Sequence, residues 1–74
     1  MDKKVVIDPE IMHGTPVLEG TRIPVYVILD YLTEGYDFER IKKAYPHLTD
    51  EHIIAAIRFA SETIRDVSLE KVAS

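Results

Sequence analysis

Hydrophobic residues along the chain fall into two short β-prone runs followed by three helical stripes. Lys4-Val5-Val6-Ile7 is closed by the turn dipeptide Asp8-Pro9. Pro16-Val17-Leu18-Glu19 lies between Gly14 and Gly20. These two runs either pair as strands, or the second pairs with a copy of itself in a dimer. The period then lengthens. Val25, Ile28, Leu29 and Leu32 recur at i, i+3, i+4 and i+7 behind Pro24, whose fixed φ suits a first helical turn. Gly35 is a natural stop for that helix.

A second helix is predicted from Asp37, a good N-cap, with Phe38, Ile41 and Tyr45 on one side and Pro46 as its stop. A third starts at Thr49, with Asp50 and Glu51 where the helix dipole favours acids. Its predicted apolar face is Ile53, Ile57, Ala60 and Ile64. Two helices are apolar on more than one side: Val27 and Tyr31 point away from the first stripe, and Ala55 and Phe59 away from Ile53. Either the β segment or a second subunit covers these backs. The expected architecture is mainly α in one domain over residues 1–74. A short N-terminal β element (about 4–19) precedes a three-helix, helix-turn-helix-like core (about 23–66) and a tail (67–74).

Length then sharpens the question of partners. With 74 residues and no cysteine, the chain has a marginal core and neither a disulfide framework nor a thiolate metal site. Oligomerisation is the remaining staple, and a homodimer is expected. The candidate interface is the β-prone edge Val5, Val6 and Ile7 together with Val27, Tyr31 and Phe59. Its net charge is −4, set by the first half, where three basic residues meet seven acids up to Asp37. An acidic chain repels phosphate on average, so any nucleic-acid contact needs a local basic patch. The chain has neither a run long enough to span a membrane nor a signal-peptide core at its start, and it reads as cytoplasmic.

Catalytic and cofactor signals are weak. Gly14 to Thr21 superficially resembles a phosphate loop, but five residues separate its glycines and no Lys precedes the Thr. Pro16 also removes an N–H that a phosphate cradle needs. His47 and His52 are five apart rather than the four of a helical metal pair, and the hydroxyls have no His at a suggestive local spacing. No cofactor, metal or enzymatic activity is expected. Arg40, Lys42 and Lys43, with His47 behind them and Arg58 further on, are the candidate DNA contacts. Glu39 stands close enough to Lys42 and Lys43 that ordinary intrahelical pairs compete with this reading. In a helix-turn-helix the third helix would present Thr49, Asp50, Glu51 and His52 to bases, and two of these are acids.

The succession Ile7-Asp8-Pro9-Glu10, Gly14-Thr15-Pro16-Val17, Gly20-Thr21-Arg22-Ile23-Pro24-Val25, Gly35-Tyr36 and Tyr45-Pro46-His47-Leu48-Thr49 resembles the small homeodomain-like antitoxin family catalogued as domain of unknown function 433. The likeness covers about residues 4–65, and the Gly-Thr-Arg-Ile-Pro-Val block is its most specific part. Position 13 is His where the family more often has Gly. The resemblance implies a β element before a trihelical core, frequent dimerisation and pairing with a PIN-like ribonuclease toxin. No functional residues are carried over from it. Within the Gly-Thr-Arg-Ile-Pro-Val block, Gly20 permits a sharp exit from the strand, Thr21 is placed to cap the approaching helix and Pro24 opens it. Arg22 either ties the junction to an acid or points at a partner. The expected function is an antitoxin that binds a PIN-like toxin, with operator DNA as a second ligand. The alternative is a dimeric adaptor with no nucleic-acid role.

Overall fold

The structure, a computed structural model, describes residues 4–67. Strands β1 (Val5–Val6) and β2 (Val17–Leu18) pair antiparallel, with Val5 opposite Leu18 and Val6 opposite Val17. The connection opens with the expected Asp8 turn, whose carboxylate accepts from the Glu10 N–H at 2.9 Å. It then passes through a 3₁₀ turn at Met12–Gly14, where His13 sits at φ 58°, ψ 31°. That is left-handed space in which an L side chain is strained.

β2 is held on both sides. Beyond β1, it bridges Pro24 through Leu18 N–H to Ile23 O (3.0 Å) and Val25 N–H to Pro16 O (2.9 Å). The bridge uses its neighbours' groups, so the missing N–H of Pro24 costs nothing there. Pro24 therefore stands in extended geometry just ahead of helix α1 (Val25–Thr33) and not in its first turn. Thr21 caps no helix. Its hydroxyl donates to Leu18 O at 2.7 Å and accepts from Ile23 N–H at 3.0 Å, closing the turn that brings the chain back along β2.

α1 ends as its sequence predicts. Gly35 takes φ 88°, its N–H reaches Leu32 O and the Tyr36 N–H reaches Tyr31 O. This double closure needs a left-handed residue, and it brings the Tyr36 ring against Tyr31, tilted by 52° with centroids 4.8 Å apart. Helix α2 (Phe38–Ala44) starts on the Asp37 carboxylate, which accepts from Arg40 N–H at 2.8 Å. Helix α3 (Asp50–Arg65) starts on Thr49. The core between the ribbon and the helices is Val5, Leu18, Val25, Ile28, Ile41, Leu48, Ile53, Ala55 and Ala56.

The inner face of α3 differs from expectation. Ile53 is buried as predicted, but Ala55 and Ala56 are buried beside it while Ile57 and Ile64 are 41% and 68% exposed. Small side chains let α1 approach closely on the alanine side, which turns the isoleucine stripe outward. α3 also has sixteen residues against nine in α1, and every described residue from Ser61 on is exposed. Apart from Val67, the tail assigned to 67–74 lies outside the described residues.

Candidate functional site

Two members of the basic cluster, Arg40 and Lys42, are engaged within the chain. The Arg40 guanidinium lies 4.0 Å above the Tyr36 ring. Lys42 Nζ sits 2.8 Å from Asp50 and 2.9 Å from Glu39, tying α2 to the first turn of α3. The hydrogen bond to Asp50, and then that to Glu39, hold the Lys42 ammonium above the ordinary lysine range. Lys43 and His47 are exposed, and α2 ends at Ala44, so His47 stands beyond the helix that carries Arg40, Lys42 and Lys43. Arg58 is exposed in the middle of α3. The structure thus keeps Arg40, Lys42 and Lys43 on one helix, with Asp37 and Glu39 beside them in sequence and Asp50 reaching Lys42 from α3.

His52 has a structural role. It is 9% exposed. Its Nδ1 accepts from Thr49 N–H at 3.2 Å, completing a capping box in which Thr49 Oγ1 accepts from His52 N–H. With Nδ1 accepting, the ring proton sits on Nε2 and donates to Glu19 O at 3.0 Å. The imidazole thus fastens the start of α3 to the end of β2, and it is not presented to a groove or a metal. The hydrophobic N-terminal half of α3 concealed this role, since a capping box ordinarily carries Glu or Gln at that position.

The candidate dimer residues separate. Val5 differs from expectation: at 5% exposure its side chain belongs to its own chain's core. Its pairing with β2 takes up one edge of β1 inside the chain. Val6 and Val27 are half-buried, and Ile7 is exposed. Tyr31 is half-buried between Tyr36 and the edge of Tyr45, 5.9 Å away. Interaction with Tyr45 raises the Tyr31 phenol above its ordinary value. Phe59 packs on the core and forms part of a groove.

That groove is the feature sequence reasoning missed. It runs between α1 and the second half of α3, has a volume of about 280 Å³, and is walled by Tyr26, Leu29, Phe59, Ala60 and Ile64 with Pro16 and Val25 at one end. Apart from the Tyr26 phenol, the lining's one hydroxyl is that of Thr63, which donates to Phe59 O at 2.7 Å. Tyr26 and Ile64, 55% and 68% exposed, form its rims. Asp30, one turn beyond Tyr26, and Glu34 line the neighbouring edge of α1 and are exposed, as is Glu10; exposed Glu19 pairs with Lys4 at 3.7 Å. The available signal was Tyr26, an aromatic residue outside the α1 stripe, facing a helix longer than α1 can cover. Among the described residues no cluster of three His, Asp or Glu side chains forms a metal cage, and no helix is long and apolar enough to cross a membrane.

A two-stranded ribbon on three helices, with an apolar groove open between α1 and α3, defines a small mainly-α domain. The chain belongs to the family described as protein of unknown function (DUF433), whose model matches residues 5–60. It is 41% identical over 56 residues to the uncharacterized protein y4eO of Sinorhizobium fredii, a match covering 76% of this chain and 25% of that protein. The matched segment is thus about a quarter of that relative's length. The crystal structure of a DUF433 member from Anabaena variabilis is similar at a TM-score of 0.76 and 25% identity, over 96% of this chain and 69% of that one.

Proposed function

We propose that the chain is a non-enzymatic, cytoplasmic, antitoxin-like protein that binds a PIN-like ribonuclease toxin by taking an apolar element of the toxin into the α1–α3 groove. The apolar groove carries this reading: a water-facing cleft rimmed by Tyr26 and Ile64 is the kind of surface that association covers. The exposed carboxylates Asp30 and Glu34 beside it suit a basic, RNA-binding ribonuclease surface. Operator DNA receives less support, because Lys42 is paired with two carboxylates and α3 opens with Asp50 and Glu51.

The test is co-expression with an adjacent PIN-like reading frame, followed by co-purification and a ribonuclease assay. The two proteins are expected to elute together, with nuclease activity suppressed. Tyr26→Glu, an exposed change in the first turn of α1 where an acid is tolerated, is expected to weaken the complex at least about tenfold, or 1.4 kcal/mol. Separate elution at micromolar concentration overturns the reading. Co-elution with unchanged nuclease activity favours the adaptor alternative.

A further inference from the structure

The outward side of α3 carries a second apolar feature, distinct from the groove. Ile54, Ile57 and Ile64 are 41%, 41% and 68% exposed. With Ser61 they stand at i, i+3, i+7 and i+10, the spacing of a helix–helix seam. Along one flank of that seam come Glu51, Arg58, Glu62 and Arg65, all exposed, with Arg58 also engaged within its own chain. The order is acid, base, acid, base. Read in reverse, it sets a base against every acid and an acid against every base.

We propose that α3 pairs with α3 of a second copy of this chain, antiparallel, about a two-fold axis level with Phe59. In that register Ile54 lies opposite Ile64 of the second copy, and Ile57 lies opposite Ser61, a small residue close to the axis. Glu51 comes within about 3 Å of axial rise of Arg65 in the second copy, and Arg58 within the same offset of Glu62. Antiparallel pairing brings like flanks together, so all four charges meet opposite charges. A parallel pair turns this flank toward the Ile53 and Ala60 side of its neighbour and leaves the alternation unused. A two-fold interface uses one patch twice, and this patch is complementary to itself. The groove lies on the other flank of α3, with Ile64 at the border, so each copy keeps its groove open. The pairing holds whether or not a toxin occupies the groove.

The chain has no cysteine, so introduced thiols report cleanly. In the full chain, the double variant E51C/R65C is expected to give a disulfide-linked dimer on mild oxidation, read on a non-reducing gel. E51C alone and R65C alone are expected to stay monomeric on that gel. Within one chain the two positions are about 21 Å apart along the helix, too far to join. Sedimentation equilibrium of the unmodified chain is expected to give twice the 8.5 kDa of one chain. Glu51→Arg is expected to weaken the dimer about tenfold, and E51R/R65E to restore it to within about threefold, a rescue that a merely structural role would not produce. Ile57→Asp is expected to yield a folded monomer by circular dichroism. A mass near 8.5 kDa at all concentrations overturns the pairing. Cross-linking of either single-cysteine variant, or no cross-link in a dimeric double variant, overturns the antiparallel register.

Discussion

The two halves of α3 are one continuous helix with opposite surroundings. In the first half, Thr49 and His52 close a capping box, His52 reaches Glu19, Asp50 holds Lys42, and Ile53, Ala55 and Ala56 are buried. From Ile57 onward no described residue is fully buried, and Ile57 and Ile64 face water. Helix formation alone does not require isoleucine at such positions, and helical propensity favours straight side chains there. The contrast assigns the first half to holding the fold together, and both contacts proposed above fall on the second, with Phe59 and Ala60 at the junction.

The contrast is broken most severely at Ile53. Ile53→Ala leaves a cavity among Leu18, Ile28 and Ile41 and is expected to cost about 2–5 kcal/mol. Ile64→Ala, on the same helix, is expected to cost less than about 0.5 kcal/mol in urea unfolding of the isolated monomer. Equal costs at the two positions would erase the distinction between the halves. His52→Ala is expected to cost about 1–3 kcal/mol, because it removes the cap and leaves Glu19 O without its partner. His52→Gln keeps the capping-box chemistry and is expected to cost less. In the ribbon, His13→Gly is expected to raise stability by about 0.5–1 kcal/mol, measured as a higher urea midpoint at unchanged slope, since it relieves a left-handed side chain.

The Lys42 link between α2 and α3 has a pH signature. Its folded value is raised by Asp50 and Glu39, so its contribution is fully present below the ordinary lysine value of about 10.4 and is lost as pH rises through the raised value. The thermal-stability difference between the wild-type chain and Lys42→Met is therefore expected to shrink in that alkaline window. Tyr31 is raised too, so stability of both chains falls there in the same direction. The difference between them isolates Lys42. A difference that stays constant across the window would show that the ammonium contributes only packing.

Local chemistry made much of this fold legible. Asp37 and Thr49 as caps, Gly35 as a stop and Asp8 as a turn act within a few residues of themselves, and each stands where its sequence context put it. Long-range packing was less readable. Helical periodicity showed that α3 was apolar on two sides, yet the inner side was decided by Ala55 and Ala56, whose small size permits close approach and whose low hydrophobicity hides them in a stripe of isoleucines. His52 was equally hidden, because its partner Glu19 is 33 residues away. The basic cluster and the Glu39 partner of Lys42 were visible in the sequence, but the second partner was not, since Asp50 reaches Lys42 from the next helix. The groove depended on the relative lengths and positions of α1 and α3, which no single stripe records.

The division of α3 is tested most directly by amide hydrogen exchange of the full chain at two concentrations, one where it is monomeric and one where it is paired. Residues 52–56 are expected to be strongly protected at both, because the core and the Thr49 cap hold their amides in every copy. Residues 57–65 are expected to be weakly protected in the monomer and to gain protection with concentration as the second copy covers Ile57 and Ile64. Equal protection of the two halves in the monomer, or no gain in the second half on association, would contradict the account.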